Sequence, residues 1–166
     1  MRFLRLITTV TALNYAALIG MGVFKIMPAT QGLKPFDLRY FGYSYDDALA
    51  YLATLNIETT EMLLGPVRWL DTSFPLLFTI TMLGWGWVLS EGLSKVVRGL
   101  AIALPLIYLV LDYLENFLVA KMIAGILPSA AQVQMASTMT VWKFVFVAIC
   151  ALMLAALAYR DLSRKG

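Results

Sequence analysis

The chain has 166 residues, of which 61% are hydrophobic and 14% are charged, and its mean hydropathy is +0.79. Soluble domains usually carry about 25% charged residues, so this composition excludes an ordinary soluble enzyme or a disordered segment and predicts an integral membrane protein. With no His and one Cys, the chain lacks the ligands of a histidine-bound haem or zinc ion and the thiols of a CxxC pair, so no cofactor or metal is predicted. The net charge of +3 comes from basic residues beside apolar segments rather than from a basic run, so nucleic acid is not a predicted partner.

The first predicted membrane span covers about residues 6–27. About 20 apolar residues are needed to cross the hydrocarbon layer, and this stretch meets that length. It is too long for the apolar region of a secretory signal, and Lys25 interrupts the place of a cleavage site, so we interpret it as an uncleaved anchor. Ala12, Ala16 and Gly20 form a face of small residues that suits close packing inside a bundle or self-association.

The loop after this span is the largest predicted segment outside the membrane. Its second half predicts a helix, because Ser44 followed by Asp47 is a typical N-terminal capping pattern. An apolar stripe at helical spacing follows, made of Ala48, Tyr51, Leu52 and Leu55. We interpret it as an amphipathic helix on the membrane surface or over the bundle, with a gate or a docking surface as alternatives. The preceding aromatic segment, KPFDLRYFGYS, predicts anchoring at the membrane interface.

Three further spans, at about residues 66–89, 100–126 and 138–159, complete an all-α, integral membrane four-helix bundle. If the spans alternate in direction, the basic residues that flank them fall on one side, which the positive-inside rule assigns to the cytoplasm. These residues are Arg2, Arg5, Lys95, Arg98, Arg160, Arg164 and Lys165. The sequence therefore predicts a single transmembrane domain over residues 1–166 with both termini in the cytoplasm.

The third span carries the densest set of polar residues at membrane depth. Charged side chains there are costly and normally face a protein interior or a water-filled cavity. At about 100° per residue, Asp112, Glu115 and Asn116 share one narrow stripe of the helix. Lys121 points roughly the opposite way and is expected to reach the outer surface. The stripe predicts a polar centre inside the bundle.

The second span predicts a polar pocket that is reached from the outer side. Asp71 and Lys143 lie at the same depth and could pair, with Arg68 as a competing partner for Asp71. Pro75 lacks the N–H that would bond the carbonyl of Asp71, so the backbone opens beside the acid. Further hydroxyl groups could come from Tyr108, Tyr113, Thr138 and Thr140.

Four segments, FDLRYFGYSYDDALAYLATL, LDTSFPLLFTI, LDYLENFL and TVWKF, resemble a group of small bacterial four-span membrane proteins. The resemblance covers most of the chain and implies the same bundle in the bacterial inner membrane. It also implies a related polar centre, formed by Asp71, Asp112, Glu115, Asn116 and Lys143. It brings no assigned reaction.

Two functions of different classes fit these residues. The first is a non-catalytic accessory or scaffold module that docks on another membrane protein or on a second copy, surrounded by membrane lipids. The alternative is a protein that binds a lipid or small lipophile, or that couples transport to protons, through an acid-lined cavity. In that case Glu115 or Asp112 would titrate and Lys143 would be the counter-charge. An enzyme is less favoured, because two acids one turn apart on one helix are not a reaction signature.

Overall fold

A computed structural model describes residues 1–125 and 127–164 of the chain, and within them the secondary structure is helical, with no strand. The five helices are α1 (Arg2–Ala29), α2 (Tyr45–Ala53), α3 (Ile57–Leu89), α4 (Lys95–Ile123) and α5 (Ala130–Ser163). Helices α1, α3, α4 and α5 are long and apolar enough to cross a membrane. The predicted all-α bundle with four candidate spans is therefore confirmed.

The helices extend beyond the apolar stretches that predicted them. Helix α5 begins at Ala130, well before the predicted start, because Ser129 and Gln132 form a capping box in which each side chain bonds the backbone of the other. Its polar first turns carry little hydropathy, so the apolar pattern missed them. The predicted end of the third span, Ile126, lies outside the described residues, as does Lys165 of the basic set, and α4 ends at Ile123.

Helix α3 starts at Ile57, before the Gly65-Pro66 pair that lies at the predicted start of the second span. Asn56 caps the first turn by accepting a hydrogen bond from the amide of Thr59 at 2.8 Å. The Gly-Pro pair instead lies inside a π-helical segment, Leu63–Val67, where Gly65 has φ −103° and ψ −106°. A glycine and a proline together therefore kink this helix rather than begin it.

The four long helices pack in chain order. Helix α1 packs chiefly on α3, α3 on α4, and α4 on α5, with a lesser contact between α3 and α5. Polar bonds tie α1 to α3, including Asn14 to Ser73 at 2.6 Å and Thr11 to Thr81 at 2.9 Å. Helices α1 and α5 lie at opposite ends of this order and do not pack closely on each other.

The small-residue face of α1 is not used for packing inside the chain. Ala12 and Ala16 are exposed, and a Cβ atom added at Gly20 would meet nothing within 4 Å. The expectation of close packing inside the bundle is therefore wrong, because α1 turns a different face towards α3. Self-association through this face stays a prediction.

The amphipathic helix of the outer loop is present. The amide of Ser44 donates to the carboxylate of Asp47 at 2.9 Å, and the amide of Asp47 donates to the Ser44 hydroxyl at 3.1 Å. Ala48 and Tyr51 of α2 are fully buried. Phe36 of the aromatic segment before α2 packs inward as well, because its ring lies 4.9 Å from that of Tyr51. The prediction of interfacial anchoring is therefore wrong for this ring.

The loop is held against α5 at Gly42. This residue has φ +84°, a conformation that favours glycine, and a Cβ atom there would lie 2.8 Å from the Ser137 hydroxyl. The next amide, of Tyr43, donates to the same hydroxyl at 2.8 Å. The loop thus crosses the mouth of the bundle in contact with its last helix.

Candidate functional site

A buried ion pair joins α4 to α5. Lys143 of α5 is 5% exposed, and its ammonium group contacts the carboxylate of Glu115, which is fully buried on α4. The other oxygen of Glu115 accepts a hydrogen bond from Thr140 at 2.5 Å. Both oxygens of this carboxylate therefore have partners, as a buried charge requires. The ammonium also lies 3.3 Å from Asp112 Oδ1.

Asp112 and Asn116 extend the cluster from α4 towards α3. Tyr108 donates to Asp112 Oδ1 at 3.3 Å, and Asn116 Nδ2 donates to Asp112 Oδ2 at 3.0 Å. Asn116 Nδ2 also lies 3.2 Å from the backbone carbonyl of Asp71. This is the carbonyl that Pro75 leaves without an N–H partner, so the side chain of a neighbouring helix replaces the missing bond.

The ion pair between Asp71 and Lys143, which equal depth allowed, is not formed among the residues that the structure describes. Lys143 is engaged by the acids of α4, which packs directly against its helix. Arg68 does not pair with Asp71 either, since it donates to the carbonyl of Asn116. Asp71 is only 8% exposed, and within residues 1–125 and 127–164 its carboxylate has neither a hydrogen bond nor an ion pair.

A loop acid that the sequence interpretation missed completes the cluster. Asp37 Oδ1 lies 3.4 Å from Lys143 Nζ. Asp37 belongs to a short 3₁₀ turn, Phe36–Leu38, and Phe36 is 1% exposed, so burial of the ring beside it fixes the acid over the bundle. The available signal was an acid within an aromatic segment, which was interpreted as an interfacial anchor.

Two of the predicted contributors lie away from the cluster. Tyr113 is 36% exposed and donates to the carbonyl of Thr72, while Thr138 bonds the carbonyl of Gln134 on its own helix. Of the other predicted contributors, Tyr108 and Thr140 bond its acids directly, and Arg68 bonds the backbone of Asn116. Lys121 is exposed, as the helical spacing predicted.

A cavity of about 370 Å³ lies beside the polar cluster, between α1, α3 and α5. Small-molecule sites typically have volumes of roughly 300–1,000 Å³, so its size suits a ligand. Residues from Thr8 to Ile26 of α1 line it, which corresponds to about 27 Å at 1.5 Å per residue, so the cavity is long and narrow. A cavity therefore lies beside Asp71, but its walls are mainly apolar rather than polar as predicted, and it extends further along the bundle than the sequence indicated.

The walls of the cavity differ in polarity. Most of the surface is apolar and aromatic, with Ile19, Phe74, Phe78, Phe144 and Val147 as examples. The charged groups come from α3, α4, α5 and the loop, and they are Asp71, Asp112, Lys143 and Asp37. The α1 wall carries no charged residue. The shape and the distribution of charge suit a molecule with a long apolar body and one polar group.

The outer loop covers one end of the cavity. Pro35, Asp37 and Leu38 line it there, and the ring of Tyr40 packs against that of Phe144 at 4.6 Å. The side between α1 and α5 is not closed by helix packing, although both helices line the cavity. In a bilayer, that side would face the lipid chains.

The acids of the cluster are not arranged as a metal site. Within the described ranges, no group of three or more His, Cys, Asp or Glu side chains is placed to hold a metal ion. The acids instead meet an ammonium, a phenol, a hydroxyl and an amide. The chemistry on offer is therefore ionic and hydrogen-bonding recognition.

No protein-family model, curated protein or solved structure matches this chain. Membership of the bacterial four-span group that its segments resemble thus stays a prediction.

Proposed function

We propose that this protein binds a small lipophilic molecule in the cavity between α1, α3 and α5, in the bacterial inner membrane. One observation carries the proposal, namely a long cavity of about 370 Å³ whose walls are mainly apolar and whose charged groups come from α3, α4, α5 and the loop rather than from α1. A packed scaffold has no need of such a void, because unfilled space in a core is destabilising. A bound lipophile would restore the lost contacts.

The arrangement of the helices supports a route from the bilayer. Since α1 and α5 do not pack closely, a lipophile can reach the cavity sideways without passing through water. Basic residues near the ends of the spans, including Arg5, Lys95 and Arg160, support the proposed orientation with cytoplasmic termini. In that orientation the loop that contains Asp37 covers the extracytoplasmic end of the cavity.

Photolabelling in nanodiscs tests the proposal. The probe is a decanol analogue that carries a diazirine on its alkyl chain, and the readout is the position of the labelled peptides. We expect labelling of the lining residues, lost when Val147→Trp fills the cavity. Val145→Trp is the matched control, because Val145 lies on the same helix and is 38% exposed, outside the cavity lining. Equal labelling of both variants, or labelling of outward-facing residues alone, would refute the proposed function.

An accessory module remains the second candidate, supported by the unpacked small-residue face of α1. Ala16 and Gly20 meet no closely packed helix within the chain, and Ala12 beside them lines the cavity, so this face could accept a helix of another membrane protein or of a second copy. Native mass spectrometry distinguishes these outcomes. A dimer or a fixed-ratio partner that is lost in Ala16→Leu and kept in Ala17→Leu would support the accessory role, whereas a monomer in all three proteins would count against it.

A further inference from the structure

We propose that the ligand of this cavity carries a positively charged ammonium group, and that Asp71 is its partner. The inference rests on the proposed function and names the chemical class that the site selects. Two independent observations carry it. The first is an excess of carboxylates over cations around the cavity, with one carboxylate left without a partner. The second is a row of aromatic rings that line the same cavity.

The charges around the cavity do not balance. Among the residues that the structure describes, three acids line it, namely Asp37, Asp71 and Asp112, against a single base, Lys143. That base is already committed, because its ammonium group contacts Glu115, which is buried behind it and pairs with no other cation in the described part of the chain. Lys143 and Glu115 together are formally neutral. Lys143 also contacts Asp112 and Asp37, so one base is shared among several acids, and Asp71 is the lining acid that it does not contact.

Asp71 is the acid best placed to supply that recognition. The contacts of Lys143 at 3.3 and 3.4 Å reach Asp112 and Asp37 but not Asp71. The Asp71 side chain is more than nine-tenths buried, lines the cavity, and has no hydrogen-bond or ion-pair partner in residues 1–125 and 127–164. A buried carboxyl group without a partner is costly. A cationic ligand would remove that cost on binding.

A row of aromatic rings from α1, α3 and α4 lines the same cavity as Asp71. The ring of Tyr15 stacks on that of Phe74 at 5.0 Å, Phe74 lies 5.9 Å from Phe78, and Phe78 lies 4.8 Å from Tyr108. All four residues line the cavity. Ring faces attract ammonium groups, most strongly where water is excluded. The combination of an acid and aromatic faces selects a cation over a neutral or an anionic group of similar size.

Competition against the photoreactive decanol probe tests the inference with three competitors that share a decyl chain. They are decyltrimethylammonium, decanol and decanoate. We expect decyltrimethylammonium to displace half of the probe at a concentration at least about tenfold lower than decanol needs. We expect decanoate to be the weakest competitor of the three. Equal displacement by the cation and the alcohol would overturn the inference and leave the proposed function standing. Failure of all three to displace cavity labelling would refute both.

A matched pair of variants assigns the charge to one residue. Asp71→Asn keeps the size of the side chain. We expect this variant to bind decyltrimethylammonium about 30-fold more weakly and to bind decanol with unchanged affinity. Asp46→Asn is the control, because Asp46 is exposed on α2 and does not line the cavity. An unchanged preference for the cation in Asp71→Asn would overturn the role of Asp71. If that variant did not fold, the three-competitor comparison on the unaltered protein would still decide the ligand class.

Discussion

The buried acids on the two sides of this bundle differ in whether they have partners. On the side where α4 meets α5, Glu115 is fully buried, and both of its oxygens have partners from the facing helix. Between α1 and α5, a cavity remains, and Asp71 of α3, which lines it, has no partner among the described residues. We infer from this difference that the polar residues of this protein serve two purposes. The satisfied cluster holds the helices together, whereas the unsatisfied acid is available to a ligand.

The largest effect is expected from removal of Lys143, the cation of the cluster between α4 and α5. Lys143→Met leaves the carboxylates of Glu115 and Asp112 buried without a cation, so we expect a loss of about 3–5 kcal/mol in the free energy of unfolding. Denaturation in detergent micelles followed by circular dichroism measures it. Lys121→Met is the control, since Lys121 is exposed. Addition of Glu115→Gln to Lys143→Met should recover part of the loss. If the single Lys143→Met variant were as stable as the control, the cluster would not be holding α4 to α5.

The bond between α4 and the proline site of α3 links the two sides. Asn116→Leu removes the donor to the carbonyl of Asp71 and to Asp112, at a cost of about 1–3 kcal/mol. Pro75→Ala returns an N–H to that carbonyl, so Asn116→Leu should cost less in the Pro75→Ala background. A double-mutant cycle of unfolding free energies measures this coupling. Strict additivity would show that Asn116 does not substitute for the bond that Pro75 removes.

The loop helix α2 makes a smaller and pH-dependent contribution to stability. Ser44→Ala removes the capping box of α2, and we expect amide exchange in α2 to rise by the equivalent of about 1 kcal/mol, with Asp46→Asn as the control. Hydrogen bonds from the Ser44 side chain and backbone hold the pKa of Asp47 below its ordinary value. The stabilisation from Asp47 is therefore present above the ordinary value of about 3.9 and is lost as the pH falls through the lowered pKa. If the stability of α2 had the same pH dependence in the unaltered protein and in Ser44→Ala, Ser44 would not be the group that lowers the pKa of Asp47.

The helices and their local contacts could be predicted well. Apolar length predicted the four spans, and Ser44 with Asp47 predicted the start of α2, because both depend on residues close in sequence. The stripe of Asp112, Glu115 and Asn116 was also predictable, since 3.6 residues per turn places them together. Local periodicity is sufficient for these features.

The partners of the charged residues could not be predicted, because they depend on which helices become neighbours. Equal depth in the membrane predicted an ion pair between Asp71 and Lys143. Because α4 packs directly on α5, Lys143 instead pairs with Glu115. Asp37 reaches the cluster from 106 positions earlier in the chain, which no spacing rule connects. The cavity itself reflects a contact that α1 and α5 do not make, and such a gap leaves no pattern in the sequence of either helix.

One measurement tests the central claim, that Asp71 serves a ligand while the cluster around Lys143 serves the fold. Melting temperature and displacement of the probe by decyltrimethylammonium are measured on the same preparations of Asp71→Asn and the unaltered protein. We expect Asp71→Asn to have an unchanged or raised melting temperature, because the variant removes an unsatisfied buried acid. We also expect it to lose the preference for the cation. A lowered melting temperature with the preference for the cation intact would contradict the central claim.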